Sequence, residues 1–420
     1  MRRAIGVAVG GLLLAGCMPP AAETAPEIEV ARPAPTPSAA VPLAASFNDA
    51  GLTMFRAAAA DRNLALSPIS IGLAFGMVDA GATGTVDDAL EEVFAYPAQG
   101  EALLNAFNSL DLAIASEKGD GAPNAEGDTV DLPIVRVANA AWFDEGFTPD
   151  PAYVETVQTW FGAQARTLPL AADPEGSREE IDGWVEDRTE GLIPRVLPES
   201  VPGPDTRLIL VNTLYLKAQW WDPFSEAGTY EDDFTRLDGS VTDAELMTQA
   251  FDARYATTDA YDAAVLPYVG GLEMVLIVPR SGRFEEVRGT FDVDALAGLD
   301  GSLAEGYVLV QLPRFETAST VDLRAVIADR MGIAGLFGEI GLDGIGPELE
   351  VGAAVHATKV IVDEDGTEAA AATVIEGMAG SMPPEPVAEI IADRPFLYAV
   401  RDTETGAILL VGQYLDPDGD

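Results

Sequence analysis

Apolar residues recur at helical spacing through Phe47–Ala60 and again through Ile69–Phe94, which predicts helices early in the chain. Downstream the pattern changes. Thr206–Lys217, Ala263–Pro279 and Tyr307–Phe315 are rich in β-branched and other apolar residues and predict strands. Helices in the first half and strands in the second predict an α+β fold built on a large mixed or antiparallel sheet. From Ala44 to Pro417 no long linker interrupts the pattern; the Gly, Asp and Pro clusters at 118–128 and 200–205 are short enough to be surface loops. Residues 44–420 therefore read as one domain. No internal repeat is visible.

Ahead of that domain the periodicity stops. Met18 to about Leu43 is rich in Pro, Ala, Thr and Glu and reads as an extended, disordered tether. It is preceded by a positive start at Met1–Arg3 and an apolar run, Ala4–Gly16, too short to span a bilayer. The run ends Leu14-Ala15-Gly16-Cys17, which looks like a bacterial lipobox. Residues 1–16 are then expected to be a lipoprotein signal peptide, with Cys17 carrying a diacylglyceryl anchor and 17–43 forming the tether. This places the protein in a cell envelope, periplasmic or surface-exposed, held to the membrane by lipid.

Charge and chemistry narrow the function by exclusion. Acidic residues outnumber basic ones 69 to 24, a formal charge of −45, so a nucleic-acid partner is not expected. Lysine occurs only at Lys118, Lys217 and Lys359. The single cysteine rules out an internal disulfide. An enzyme needs a nucleophile with a base, or a metal. His356 is the only histidine, it sits in the apolar run Ala353–Val360, and no Gly-x-Ser-x-Gly elbow is present. Zinc fails on ligand count. The Asp363-Glu364-Asp365-Gly366 run has Ile361 and Ala372 where a calcium loop needs its first and last ligands. No metal and no cofactor are expected, and the chain does not read as an enzyme.

The most unusual stretch is Val362–Met382, followed by Pro383-Pro384-Glu385-Pro386. Taken as a strand, it puts Thr367, Ala369, Ala371, Thr373 and Ile375 on one face and both charges, Glu368 and Glu376, on the other. Side chains entering a packed core must be small and uncharged. This parity suits a segment that passes from solvent into a sheet.

On these residues the chain resembles the serpin family, over roughly Ser46 to Pro417. Gly366-Thr367-Glu368-Ala369-Ala370-Ala371-Ala372-Thr373 is similar to the hinge of an inhibitory reactive-centre loop, with Glu364 just ahead of its glycine. Other family signatures follow in order: Asn63–Ile71, Gly81–Thr85, Ala138-Asn139-Ala140, Ile181–Val185 with Thr189 and Gly191, and Leu210–Tyr215 with Lys217 and Trp220. Pro267-Tyr268, Leu312–Phe315, Gly332-Ile333 with Leu336-Phe337, and Pro395-Phe396 with Gly412 complete the set.

The resemblance implies three sheets wrapped by eight or nine helices, with an exposed reactive-centre loop at about 364–392. It implies a suicide inhibitor of serine-type endopeptidases: the loop is cut, an acyl-enzyme forms, and the severed loop inserts as a strand and traps the protease. The alternative is a non-inhibitory serpin-fold binding protein, which charged or bulky residues on the inserting face would signal; none are there. Ser67, Ser70, Asn139, Asn212 and His356 are implied as a polar shutter cluster, and Trp220, Arg314 and Glu364 as the breach where the loop first enters. Hinge spacing implies the reactive bond between Gly380 and Ser381. Cleavage after Met378, Ala379 or Met382 stays open, because Ser381–Pro395 is longer than is usual. No Lys or Arg lies between Lys359 and Arg394, so an elastase-, subtilisin- or chymotrypsin-like target is expected and a trypsin-like one is not. Asp182 stands where the family usually has Asn, and Leu246-Met247 where it has paired methionines. Glu101–Lys118 carries one basic residue, so no heparin-like glycan partner is expected. A monomer is expected.

Overall fold

The computed structural model describes residues 31–115, 121–338, 340–352, 354–367 and 384–419. Its first half is helical: α1 (Pro37–Ala58), α2 (Pro68–Asp79), α3 (Gly84–Phe94), α4 (Glu101–Ile114), α5 (Pro151–Phe161) and α6 (Pro174–Arg188). Three of these begin in the same way. A side-chain oxygen of Ser67, Asp150 or Asp173 accepts a hydrogen bond from a first-turn N–H, and a proline follows where no N–H is needed. Short helices α7 (Phe284–Gly289) and α8 (Val293–Asp300) follow, with a π-helical turn at Ala325–Arg330, making nine helices among the described residues when single 3₁₀ turns are left aside.

The strands are β1 (Leu64–Leu66), β2 (Ala122–Pro123), β3 (Thr129–Val130), β4 (Ile134–Asp144), β5 (Gln164–Leu168), β6 (Leu208–Gln219), β7 (Thr229–Thr235), β8 (Val241–Thr257) and β9 (Tyr261–Pro267). They continue with β10 (Leu272–Pro279), β11 (Ala304–Pro313), β12 (Phe315–Asp322), β13 (Val355–Val362), β14 (Gly366–Thr367), β15 (Ala388–Ile391), β16 (Phe396–Asp402) and β17 (Ile408–Tyr414). A nine-stranded sheet runs β1-β17-β16-β10-β9-β8-β11-β15, with β7 also paired to β8. A six-stranded sheet runs β12-β13-β14-β6-β4-β5, and β2 and β3 form a separate hairpin. The architecture is α+β with three sheets, as the family resemblance implied.

Burial follows the period of each strand. β10, enclosed on both faces, is buried at every position, whereas β12 alternates strictly between buried and exposed residues. One large core fills the space between the two big sheets and beneath α1–α4. A second, smaller one lies on the opposite face of the six-stranded sheet, where Trp142 of β4 and Ile209 and Val211 of β6 pack under Ile181, Trp184 and Val185 of α6. Asp182 accepts hydrogen bonds from the Val196 and Leu197 N–H groups (2.9 and 3.1 Å), a task that needs an acceptor only, so Asp serves there as well as Asn.

The structure corrects the tether boundary. Residues 32–43, assigned to the tether by composition, are packed: α1 begins at Pro37, and Ala40 and Leu43 are fully buried. Arg32 pairs with buried Asp111 of α4, donates to Asn108 Oδ1 (2.9 Å), and reaches the Trp160 carbonyl of α5 (3.1 Å). Proline content suggested an extended chain. Pro37 takes the first helical position, where no N–H is needed, α1 continues through Pro42, and a buried carboxylate 79 positions away supplied the anchor. Cys17 and the rest of residues 1–30 lie outside the described residues. Among those described, no helix is long and apolar enough to cross a membrane.

Candidate functional site: a corridor between two strands

β13 and β6 run parallel to each other because each is antiparallel to β14, which lies between them. β14 is only two residues long. Thr367 pairs with Val362 on one side and Ala218 on the other, and below that row β13 and β6 have no strand between them among the described residues. The first two residues of the hinge run Gly366–Thr373 are therefore already in the sheet. Gly366 is required there. Its φ is +155°, and a Cβ would run into the Ala218 carbonyl oxygen.

The upper end of this corridor is tightly held. Glu364, 5% exposed, accepts from Arg314 Nε through both carboxylate oxygens (2.9 and 2.6 Å) and from the Thr229 hydroxyl. Burial pulls the Glu364 carboxyl upward, but these donors outweigh it and hold it below the usual carboxylate range. The Trp220 indole stacks on Tyr268 with centroids 4.2 Å apart and donates from Nε1 to the Asp363 carbonyl (3.0 Å). The Tyr268 and Thr367 hydroxyls hydrogen-bond at 2.6 Å. Asp363 Oδ1 accepts from the Asp365 and Gly366 N–H groups (3.0 and 3.1 Å), so the acidic run closes its own turn. Burial, with Asp365 and Glu364 adding, pushes the Asp363 carboxyl up to about 6.

At mid-height a polar chain crosses the corridor. Asn139 of β4 donates to the Phe161 carbonyl (2.9 Å) and accepts from Asn212 Nδ2 of β6 (2.7 Å); Asn212 Oδ1 in turn accepts from the Ser70 hydroxyl. The Ser70 N–H donates to Ser67 Oγ (3.2 Å), and the Ser67 N–H donates to His356 Nε2 (3.0 Å), beside the Thr358 hydroxyl at 2.7 Å. Because Nε2 accepts from a backbone N–H, the neutral ring carries its proton on Nδ1. Burial depresses the His356 pKa to about 4, so the imidazole stays neutral in ordinary buffers.

Two cavities flank this chain. The upper one holds only about 20 Å³ and is bounded by Leu214, Leu216, Thr358 and Thr367. The lower one holds about 460 Å³, between Ile71, Ala74 and Phe75 of α2, the start of β6, and the Val196–Arg207 loop. Among the described residues no group of three His, Cys, Asp or Glu side chains could hold a metal.

The structure thus brings together Trp220, Arg314, Glu364, Gly366 and Thr367 at the top, and Ser67, Ser70, Asn139, Asn212 and His356 in the middle. Glu368, Ala369, Ala370, Ala371, Ala372 and Thr373, and the Gly380–Ser381 bond, lie outside the described residues. Sequence reasoning missed Thr229, Thr358, the Tyr268–Thr367 bond and the Phe161 carbonyl. Tyr268 could have been found, since Pro267-Tyr268 already stood out; the Phe161 carbonyl has no side-chain signal.

A family model described as "Serpin (serine protease inhibitor)" matches residues 45–417. An uncharacterized serpin-like protein of Thermococcus kodakarensis is 31% identical over 361 residues, covering 85% of this chain and 81% of that protein. Antithrombin-III of Mus musculus is 30% identical over 364 residues, covering 84% and 76%. The native structure of Tengpin, a thermophilic serpin, superposes with a TM-score of 0.77 at 22% identity, over 92% of this chain and 96% of that one, a likeness of fold. The described hinge residues, the breach and the polar chain all fall inside the matched span, and this chain belongs to the serpin family.

Proposed function

We propose that this protein inhibits serine-type endopeptidases as a suicide substrate. The observation that supports the reading is the seat of Gly366-Thr367 between β13 and β6, above a stretch where no strand among the described residues separates the two. The protease serine attacks the carbonyl of the reactive residue, for which we propose Gly380, and expels the amine of Ser381. The acyl-enzyme then competes between two fates: attack by water releases the protease, and insertion of the loop as a strand carries it away. Filling the corridor from Glu368 downward adds on the order of ten backbone hydrogen bonds, each contributing about 1 kcal/mol net, so insertion is favoured once the loop is severed. Small and thioether side chains at Met378–Met382 suit elastase-, subtilisin- or chymotrypsin-like enzymes.

Incubation with a subtilisin-like and an elastase-like protease should yield an SDS-resistant band at the summed mass and a cleaved form with a raised Tm. Cleavage without either outcome favours the binding-module reading. We further propose lipid attachment at Cys17, on the strength of Leu14-Ala15-Gly16-Cys17. Intact mass of membrane-extracted protein should begin at an acylated Cys17; an unmodified or differently trimmed start refutes it.

A further inference from the structure

Insertion has a register that the described residues already set. Thr367 lies opposite Ala218 and Val362, so in an antiparallel continuation each further loop residue meets one residue earlier on β6 and on β13. Glu368 then falls opposite Lys217, Thr373 between Asn212 and His356, Ile375 between Leu210 and Ala354, and Glu376 opposite Ile209. Gly377 meets Leu208, the first residue of β6.

Each row of the corridor suits its arrival. The rows met by Ala369 and Ala371 border the 20 Å³ cavity, with room for little more than a methyl group. Thr373, a hydroxyl bearer, reaches the polar chain. Ile375 comes down on the core side of the sheet over Ile71, Ala74 and Phe75, in the 460 Å³ cavity. The two carboxylates have the opposite parity and face α6. Lys217 points to that face with the other odd-numbered β6 residues, as Ile209 and Val211 do; Arg207 immediately precedes β6 and continues its ladder, its carbonyl accepting from the Asp144 N–H at 2.9 Å. Among the described residues neither cation has a carboxylate partner, and the Arg207 guanidinium donates only to the Pro204 and Thr206 carbonyls (3.2 and 3.1 Å). Arg207 is also the one cation among the residues lining the lower cavity, alongside Asp205, Glu348 and Glu350. In a chain with 69 acidic and 24 basic residues, a cation with no carboxylate partner among the described residues opposite Glu368, and another one diagonal step from Glu376 on the same face, is informative. Glu376 would otherwise arrive unpaired beside buried Ile209, which is costly.

We propose that Lys217 and Arg207 are register pins for the inserted strand: Glu368 pairs with Lys217 at its start, Glu376 with Arg207 at its end, and Ile375 fills the lower cavity between them. The occupant of that cavity is thus this chain's own segment 374–377. The inference rests on the insertion proposed above and adds its alignment.

The test uses the full chain with Cys17→Ser and a cysteine pair, Leu208→Cys with Gly377→Cys, cut in its loop by a subtilisin-like protease and then mildly oxidised. Directly opposite residues lie within disulfide reach. The expected result is a 208–377 disulfide within one chain after cleavage and none before it, by intact mass. In the otherwise unaltered sequence, Arg207→Glu should lower the yield of trapped protease about threefold at low salt, the scale of a modest ion pair. Adding Glu376→Arg should restore it, and 0.5 M salt should shrink the difference. A rise in Tm on cleavage accompanied by a disulfide from Leu210→Cys to Gly377→Cys instead overturns the pins alone. So does a charge swap that fails to recover, or a disulfide joining two chains. No rise in Tm on cleavage overturns the insertion reading and the pins with it.

Discussion

The two ends of the corridor are built on opposite plans. At the top, Gly366 and Thr367 are already in the sheet, a buried carboxylate is held through both oxygens, and the adjoining cavity holds about 20 Å³. At the bottom, the same two strands border about 460 Å³ lined by Ile71, Ala74 and Phe75 together with charged Asp205, Arg207, Glu348 and Glu350, with no strand between them among the described residues. On the proposed insertion, a strand that starts at the top places Ala369 and Ala371 first and Ile375 last. Under the proposed insertion, the contrast teaches that strand entry would be nucleated at the crowded end, while most of the unspent burial lies at the open one.

The largest expected effect breaks this contrast at the crowded end. Ala369→Arg would place a cation between buried Leu216 and Val360. Burying it without a partner costs several kcal/mol, so the variant should become a substrate. The same charge at the open end, Gly377→Arg, should keep most of the trapped complex. Gel densitometry of both against one protease decides the matter; equal complex from the two variants would remove the difference between the ends.

A smaller effect lies at the polar chain dividing the two cavities. His356 has a folded pKa of about 4 against an ordinary 6.5, so the unfolded chain binds the extra proton between those values. Its contribution is intact above pH 6.5 and is lost as pH falls toward 4, by about 3 kcal/mol over the window. Melting curves of the native protein and His356→Gln should converge as the pH drops from 7 to 4.5. Parallel curves would show that the ring does not govern acid sensitivity here.

The smallest expected effect concerns the clamp. Arg314→Ala leaves buried Glu364 without its charged donor, held by the Thr229 hydroxyl and a backbone N–H, yet Arg314 is 39% exposed, so solvent moderates the cost to about 2 kcal/mol. The urea midpoint should fall accordingly. An unchanged midpoint, with unchanged trapping, would mean that the top of the corridor is held by the Trp220–Tyr268 stack and the two-residue strand alone. Glu364, with a depressed carboxyl pKa, contributes stability above the ordinary glutamate value, and that contribution is lost on acidification below it.

Much of this was legible in the chain because it is local. The alternation of Thr367 to Ile375, the lone histidine in an apolar run and the absence of a basic residue in the loop are all visible without a fold, since strand parity and charge burial act over neighbouring residues. The motif order identified the family for the same reason. Arg314 with Glu364, separated by 50 positions, was reached only through resemblance, and no local pattern points to it.

What the sequence determined by itself is therefore the loop's character: which of its residues can enter a core and which cannot. Only the tertiary structure decided that Gly366 and Thr367 sit between β13 and β6, and that residues from Arg32 onward are packed against the body, ahead of Ala44. The reason is physical. Side-chain size and charge travel with the residue, but a partner for a buried carboxylate comes from whatever element the fold brings alongside, here 79 positions away for Asp111.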